Sequence, residues 1–330
     1  MNTFSRNTPD PSRRDALAPF SDAASLSLPW PPGRMSLLTA GEGAPLLLVH
    51  SLNAAASGYE VKPIFDHARS YRQVFALDLP GFGRSARGRA PYAIAFYVSA
   101  LLRAADEVRS RSGSPAIDAL GLSLSCEFLA RAALERPDLF RSLVFVTPTG
   151  FETGSEKRRA EPGQALGSPA LERALNLPLW RRALYKGLVS RASLRFFLRR
   201  TFGGSDVPAG LIDYAYRSAH QPEAEFAPFA FASGKLFAAD IRDVYEQLEL
   251  PVWLAHGTRG SFSDFAGAEW VRTRPNWAVT PFETGAFPQF QAQDQFMPLL
   301  VQFLEEAASE RQGWPDALAL APVTDPGRCL

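Results

Sequence analysis

The stretch AIDALGLSLSCEF, from Ala116 to Phe128, governs how this sequence is read. Its first part is an apolar run of strand length ending at Ser123. From Cys126 to Leu134 apolar residues recur at helical spacing, and Arg136-Pro137 closes that helix. Between the two, Gly121-Leu122-Ser123-Leu124-Ser125 matches the pattern G-x-S-x-G with serine in place of the last glycine. A strand that passes straight into a helix through such a segment makes a sharp, strained turn. The turn lifts the serine hydroxyl above the sheet, and small neighbours let the helix pack close. The plainer alternative is an ordinary strand-to-helix turn.

Outward from this stretch, strand and helix patterns alternate. MSLLTAGEG (Met35 to Gly43) and PLLLVHS (Pro45 to Ser51) read as neighbouring strands, and YRQVFALDLPGFG (Tyr71 to Gly83) holds a third that ends near Asp78. Helical spacing runs from Tyr92 to Arg109. SLVFVTPTG (Ser142 to Gly150), LPVWLAHGT (Leu250 to Thr258) and WAVTPFETG (Trp277 to Gly285) continue the strand series before the helix QFMPLLVQFLEEAAS. Apolar strands of this kind are buried on both faces of a mostly parallel sheet flanked by helices.

Residues 151–234 interrupt the alternation with helical, Arg-rich, aromatic sequence, which reads as a helical cap inserted between two strands. The expected organisation is a disordered tail over 1–34, a core over 35–150 and 235–311, the cap over 151–234, and a second tail over 312–330. Pro29-Trp30-Pro31-Pro32-Gly33 reads as a stiff linker into the folded part.

With 330 residues, 46% hydrophobic and 12% aromatic, the chain has enough apolar material for a large core, and a net charge of +1 gives no bulk attraction for nucleic acid. The two cysteines, Cys126 and Cys329, are far apart and form neither a disulfide framework nor a metal-ligand spacing, so no metal or other cofactor is expected. No run approaches the ~20 apolar residues of a membrane span. The N-terminal residues lack the apolar segment of an export signal, which makes the cytoplasm the expected location.

Taken together, these motifs resemble the α/β-hydrolase family over about Met35 to Glu306. LLLVHSLN resembles its strand followed by His-Gly-x, DLPGFGRS its Asp-x-x-Gly-x-Gly-x-Ser loop, and GLSLS its nucleophile elbow. The resemblance implies Ser123 as nucleophile and the backbone amides of Leu52 and Leu124 as an oxyanion hole. Ser51 stands where the family has glycine. Asn53 either adds a side-chain donor for binding or is an exposed loop amide. His50 is implied to orient a loop and Asp78 to hold a turn by hydrogen bonds.

A serine hydroxyl is a weak nucleophile unless a base takes its proton, and that base needs a partner to fix its tautomer. The family places the acid in His-Gly-x-x-Asp after the strand matching VWLAHG, where this chain reads His256-Gly257-Thr258-Arg259-Gly260. It places the histidine in Gly-His-x-Pro, where this chain reads Gly285-Ala286-Phe287-Pro288. Four histidines exist: His50, His67, His220 and His256. His67 belongs to a helix away from the elbow. His220 either points down at Ser123 or faces solvent, and His256 sits at a strand tip on the correct edge of the sheet. Glu152, Asp264 and Glu283 are the candidate acids, each with a plainer reading as a surface carboxylate.

From Phe151 to Arg200 there are eleven Lys or Arg against four Glu and no Asp. In RASLRFFLRR, Leu194, Phe197 and Leu198 share one helical face, with Arg191, Arg195 and Arg199 on a neighbouring one. Such a helix either packs on the core with a solvated basic face, makes peripheral contact with an anionic membrane, or guides an acidic amphiphile to the pocket. FAPFAF (Phe226 to Phe231) suits either an apolar pocket or a core.

The expectation is therefore an α/β-hydrolase core with a helical cap and an apolar pocket floored by Ser123. Its leading function is hydrolase-like chemistry on an apolar, ester-type small molecule with an unidentified base. The alternatives are a ligand-binding pseudo-hydrolase and a lyase or isomerase that uses the same pocket.

Overall fold

In the computed structural model, residues 19–31, 33–155, 161 and 163–309 are described. Eight strands form one sheet: β1 (Ala24–Trp30), β2 (Gly33–Ala40), β3 (Pro45–Val49), β4 (Gln73–Asp78), β5 (Ile117–Leu122), β6 (Phe140–Val146), β7 (Val252–Gly257) and β8 (Trp277–Phe282). Their order across the sheet is β1-β2-β4-β3-β5-β6-β7-β8, with β2 antiparallel to both β1 and β4 and every other neighbouring pair parallel.

Alternate residues of a strand face opposite sides, so β3 builds two cores at once. Leu47 and Val49 pack on the side of α2 (Ile94–Ser112) and α3 (Ser125–Glu135). Leu46 and Leu48 pack on the side of α1 (Lys62–Ala68) and the last helix, Gln293–Ser309. These four side chains are fully buried, and each contributes roughly 1.5–3 kcal/mol through the apolar surface it removes from water.

Two readings of the sequence are corrected at the first edge of the sheet. The strands β2 and β3 are consecutive but do not pair, because β4 lies between them. The link crosses close over the chain entering β4. Gly41 makes that possible with φ of 79°, since a Cβ there would lie 2.3 Å from the Arg72 carbonyl oxygen. The second correction concerns the tail assigned to 1–34. Ala24–Trp30 pairs with β2 from Ala24↔Thr39 to Trp30↔Gly33, so Pro29, Trp30 and Gly33 belong to paired strands and not to a tail or linker. Pro29 is tolerated because β1 is an edge strand. Residues 1–18 of that tail lie outside the described residues, as does the C-terminal tail 312–330 with Cys329.

Between β6 and β7 the chain forms α4 (Pro169–Leu175), α5 (Arg181–Leu188), α6 (Arg191–Phe202), α7 (Ala209–Ala219), α8 (Phe226–Ala232) and α9 (Ile241–Glu246). In α6 the Ser190 hydroxyl accepts from the Ser193 amide, and the helix stops at Gly203, which takes φ of 62°. After β8 come α10 (Pro288–Gln291) and α11 (Gln293–Ser309). No helix among the described residues is long and apolar enough to cross a membrane.

Candidate active site

The strand β5 delivers Ser123 to a turn in which its φ is 52°, the left-handed region that a residue with a Cβ enters at a cost. Three contacts hold it there. The Ser123 amide donates to the Val146 carbonyl at 2.9 Å, and the Ser125 hydroxyl accepts from the Leu122 amide at 3.0 Å while donating to the Leu122 carbonyl at 2.8 Å. Ser125 therefore ties the turn in a way that glycine cannot. Gly121 has to be small, because a Cβ there would lie 2.8 Å from the Leu129 side chain of α3. Cys126 is buried in α3, its thiol bonded to the Gly121 carbonyl and its pKa pushed up by burial, so it is an inert core group.

The loop after β3 leaves the sheet beside this turn, since Val49 pairs with Gly121 across adjacent parallel strands. Leu52 and Leu124 each lie three residues beyond that pair. Their amides donate to no protein acceptor among the described residues. The buried Glu60 carboxylate organises the loop by accepting from the Ser51 amide at 2.8 Å and from Asn53 Nδ2 at 2.9 Å. Asn53 Nδ2 also donates to the Ser51 hydroxyl, and Asn53 Oδ1 accepts from the Ala55 amide. Both ends of the Asn53 amide are thus bound inside the loop, and its side chain builds the loop's shape.

The four histidines are engaged elsewhere. His50 accepts the Leu79 amide at Nε2 (3.0 Å), and its Nδ1 lies 2.6 Å from the Ser51 carbonyl. Asp78 beside it accepts from the Gly58 and Arg84 amides, which fixes the turn around Gly83. His67 is exposed on α1 and meets Tyr71 edge-on. His220 is exposed at the end of α7, bonded through Nδ1 to the Tyr216 carbonyl and lying over the Tyr216 ring. His256 is buried at the end of β7, stacked on Phe265 and bonded through Nδ1 to the Gly257 carbonyl, and burial lowers its pKa. It is two strands from β5, roughly 10 Å at the usual strand spacing. No described side chain hydrogen-bonds the Ser123 hydroxyl.

At the two loops where the resemblance puts the acid and the histidine, the last turn of α6 is packed against the backbone. A helix end leaves four carbonyls without intrahelical partners, and all four are satisfied here. Arg199 accepts from the Gly203 and Gly204 amides, Arg200 from the Ser261 amide at 3.2 Å, Thr201 from the Ala286 amide at 2.7 Å, and Phe202 from Gln291 Nε2 at 3.0 Å. The approach is close. A Cβ on Gly260 would lie 2.8 Å from the Arg200 oxygen, and one on Gly285 would lie 2.3 Å from the Thr201 oxygen. Ala286 is buried, and its carbonyl accepts from the Thr147 hydroxyl at 2.8 Å.

A family model described as the alpha/beta hydrolase fold matches residues 44–187. Solved structures share the architecture over most of the chain. A serine hydrolase involved in carbazole degradation is 14% identical with a TM-score of 0.66, covering 86% of this chain and 99% of its own. The 2-hydroxy-6-oxo-6-phenylhexa-2,4-dienoate hydrolase of Rhodococcus sp. strain RHA1 is 16% identical with a TM-score of 0.66 over the same shares. An epoxide hydrolase is 19% identical with a TM-score of 0.64, again over 86% and 99%. No curated protein matches by sequence.

The chain has the α/β-hydrolase fold. At such identities the likeness establishes the fold and leaves the chemistry to the site's own residues. In this α/β-hydrolase fold the candidate acids are placed as follows. Asp264 is exposed and pins two loops together by accepting from the Thr153 amide, the Thr153 hydroxyl and the Ala266 amide, bonds that lower its pKa. Glu152 caps the Gly150 amide at 3.1 Å, and Glu283 is exposed with its carbonyl held by Arg259.

Two cavities border the insertion, and Ser123 lines neither. One of about 10 Å³ lies among Ala54, Phe82, Arg87, Tyr185 and Ser218. One of about 260 Å³ lies among Arg89, Tyr92, Glu172, Arg173 and Phe226. The insertion meets the neighbouring loops at two points: Tyr185 Oη donates to the Ala54 carbonyl, and Arg87 donates to the Ser218 carbonyl. Among the described residues no group of three or more His, Cys, Asp or Glu is arranged to hold a metal ion. Sequence reasoning missed Glu60 and the end of α6. Nothing local in Gly58-Tyr59-Glu60-Val61 marks the carboxylate as buried.

Proposed function

We propose that this protein is a pseudo-hydrolase, an α/β-hydrolase fold that holds an apolar carbonyl or carboxylate compound without cleaving it. The observation that carries this reading is the Ser123 hydroxyl, which no basic side chain among the described residues contacts. Without a base the hydroxyl keeps its proton, and nucleophilic attack loses the roughly 10²–10⁴-fold that general-base assistance supplies. What remains is a set of donors. The Ser123 hydroxyl and the Leu52 and Leu124 amides are the groups that would receive a ligand's oxygen, with the apolar body lying against the insertion.

Esterase-type hydrolysis is the second reading, favoured by the left-handed Ser123 turn and its hydrolase neighbours. Methyl octanoate separates the two. Calorimetric titration should show saturable binding, weakened in Ser123→Ala, while NMR shows no octanoate released beyond the buffer rate. Release that depends on Ser123 would establish hydrolysis, and absence of binding would overturn the proposal.

A further inference from the structure

Nine large apolar side chains are exposed among the described residues. Eight of them fall between Leu166 and Phe197, so the exposure belongs to the insertion and is not scattered over the surface. The ninth, Phe262, follows Ser261, which bonds to Arg200 at the end of α6 through both its amide and its hydroxyl. The sequence placed Leu194, Phe197 and Leu198 on one face of α6. The structure divides that face: Leu194 and Phe202 are buried and Leu198 half-buried, while Phe196 and Phe197 are both about half exposed. At 100° per residue Phe196 stands opposite Leu194, on the outermost line of the helix.

The same face is basic. Arg199 and Arg200 flank Phe196, with the Arg200 guanidinium 5.8 Å from its ring centre. On α5, Arg182 and Lys186 are exposed one turn apart around Leu184, and Leu179 just before the helix is 88% exposed. Arg182, Lys186, Arg195 and Arg199 form no ion pair with any described residue. A packed protein core would have no use for unpaired cations beside aromatic rings. An interface between water and anionic lipid accommodates both, because rings and leucines enter the acyl boundary while guanidinium and ammonium groups meet phosphates.

We infer that the face formed by α5, α6 and the turn at Ser261–Ser263 docks on an anionic lipid surface. The inference is independent of what Ser123 does. It places the insertion in contact with a phase where apolar carbonyl compounds dissolve.

The test is co-sedimentation of the full chain with vesicles of phosphatidylcholine, alone or mixed with phosphatidylglycerol. Binding to the mixed vesicles should exceed binding to the neutral ones by about tenfold or more and fall with added salt. The double variant Phe196→Asp, Phe197→Asp and the double variant Arg182→Glu, Arg199→Glu should each lose about tenfold in binding while keeping the wild-type unfolding midpoint. Arg111→Glu, a basic position on α2 outside the insertion, should bind as wild type does. Equal sedimentation with both kinds of vesicle, or unchanged binding by both double variants, would overturn the inference. So would light scattering that shows a dimer dispersed by the Phe variant, since the face would then belong to a second copy of the chain.

Discussion

The Ala286 amide donates to the Thr201 carbonyl at 2.7 Å, which makes the loop after β8 and the last turn of α6 a single packed unit. In an α/β-hydrolase fold this is where a histidine would approach the serine. The loop after β7 is bound to the same turn through Ser261 and Arg200. At an open site, two substitutions could in principle supply an acid and a histidine. Here the space itself is taken.

Supplying the two residues should therefore fail. Ala286→His places an imidazole in a buried position, with an overpacking cost of about 1–3 kcal/mol. Gly260→Asp puts a Cβ 2.8 Å from the Arg200 oxygen at φ of 84°, and sets a carboxylate against the negative end of α6, costing about 2 kcal/mol or more. Urea unfolding should show both losses, and the double variant should cleave p-nitrophenyl butyrate no faster than wild type. A Ser123-dependent gain in turnover would show that α6 leaves room for the relay.

The left-handed turn at Ser123 makes a stability prediction of its own. Because the hydroxyl has no hydrogen-bond partner among the described residues, Ser123→Ala removes little. Ser123→Gly relieves the φ of 52° and should be more stable than Ser123→Ala by roughly 1 kcal/mol, read from the urea midpoint. Equal stabilities would mean the turn is unstrained.

Much of this was legible in the sequence, for definable reasons. The apolar strands, their alternation with helices and the small residues around Ser123 are local patterns, and local patterns survive without coordinates. The order β2-β4-β3 was not legible, because it depends on Gly41 meeting the backbone of residues 69–72. That Gly260 and Ala286 stand where the resemblance puts the acid and the histidine could be read from the sequence. Its physical counterpart could not, since the Arg200–Gly203 turn lies about sixty residues from one loop and more than eighty from the other. Nor did helical periodicity show which side of α6 faces out. Leu194, Leu198 and Phe202 set that face by burying themselves against the core, and Phe197 was left outside.

A buried carboxyl should make the fold sensitive to pH near neutrality. Glu127 on α3 accepts from the Thr149 hydroxyl and the Ala238 amide, and burial pushes its pKa up to about 7. The folded protein then holds a proton that the unfolded chain releases between about pH 4.5 and 7. Stability from this group is fully present below the unfolded value and is lost as pH rises through about 7. The gap between the usual 4.5 and about 7 corresponds to about 3 kcal/mol. Urea midpoints from pH 5 to 8 should fall in wild type and flatten in Glu127→Gln, whose amide can serve the same two partners. A wild-type profile as flat as the variant's would place the carboxyl pKa at its ordinary value.

The central claim is that Ser123 has no base, and the rate at which a fluorophosphonate labels it across pH 5 to 9 tests this most directly. The account predicts slow labelling with no inflection near the imidazole range of about 6.5, unchanged in His256→Gln and His220→Gln. Rapid, stoichiometric labelling that disappears in Ser123→Ala and follows an imidazole titration would contradict it.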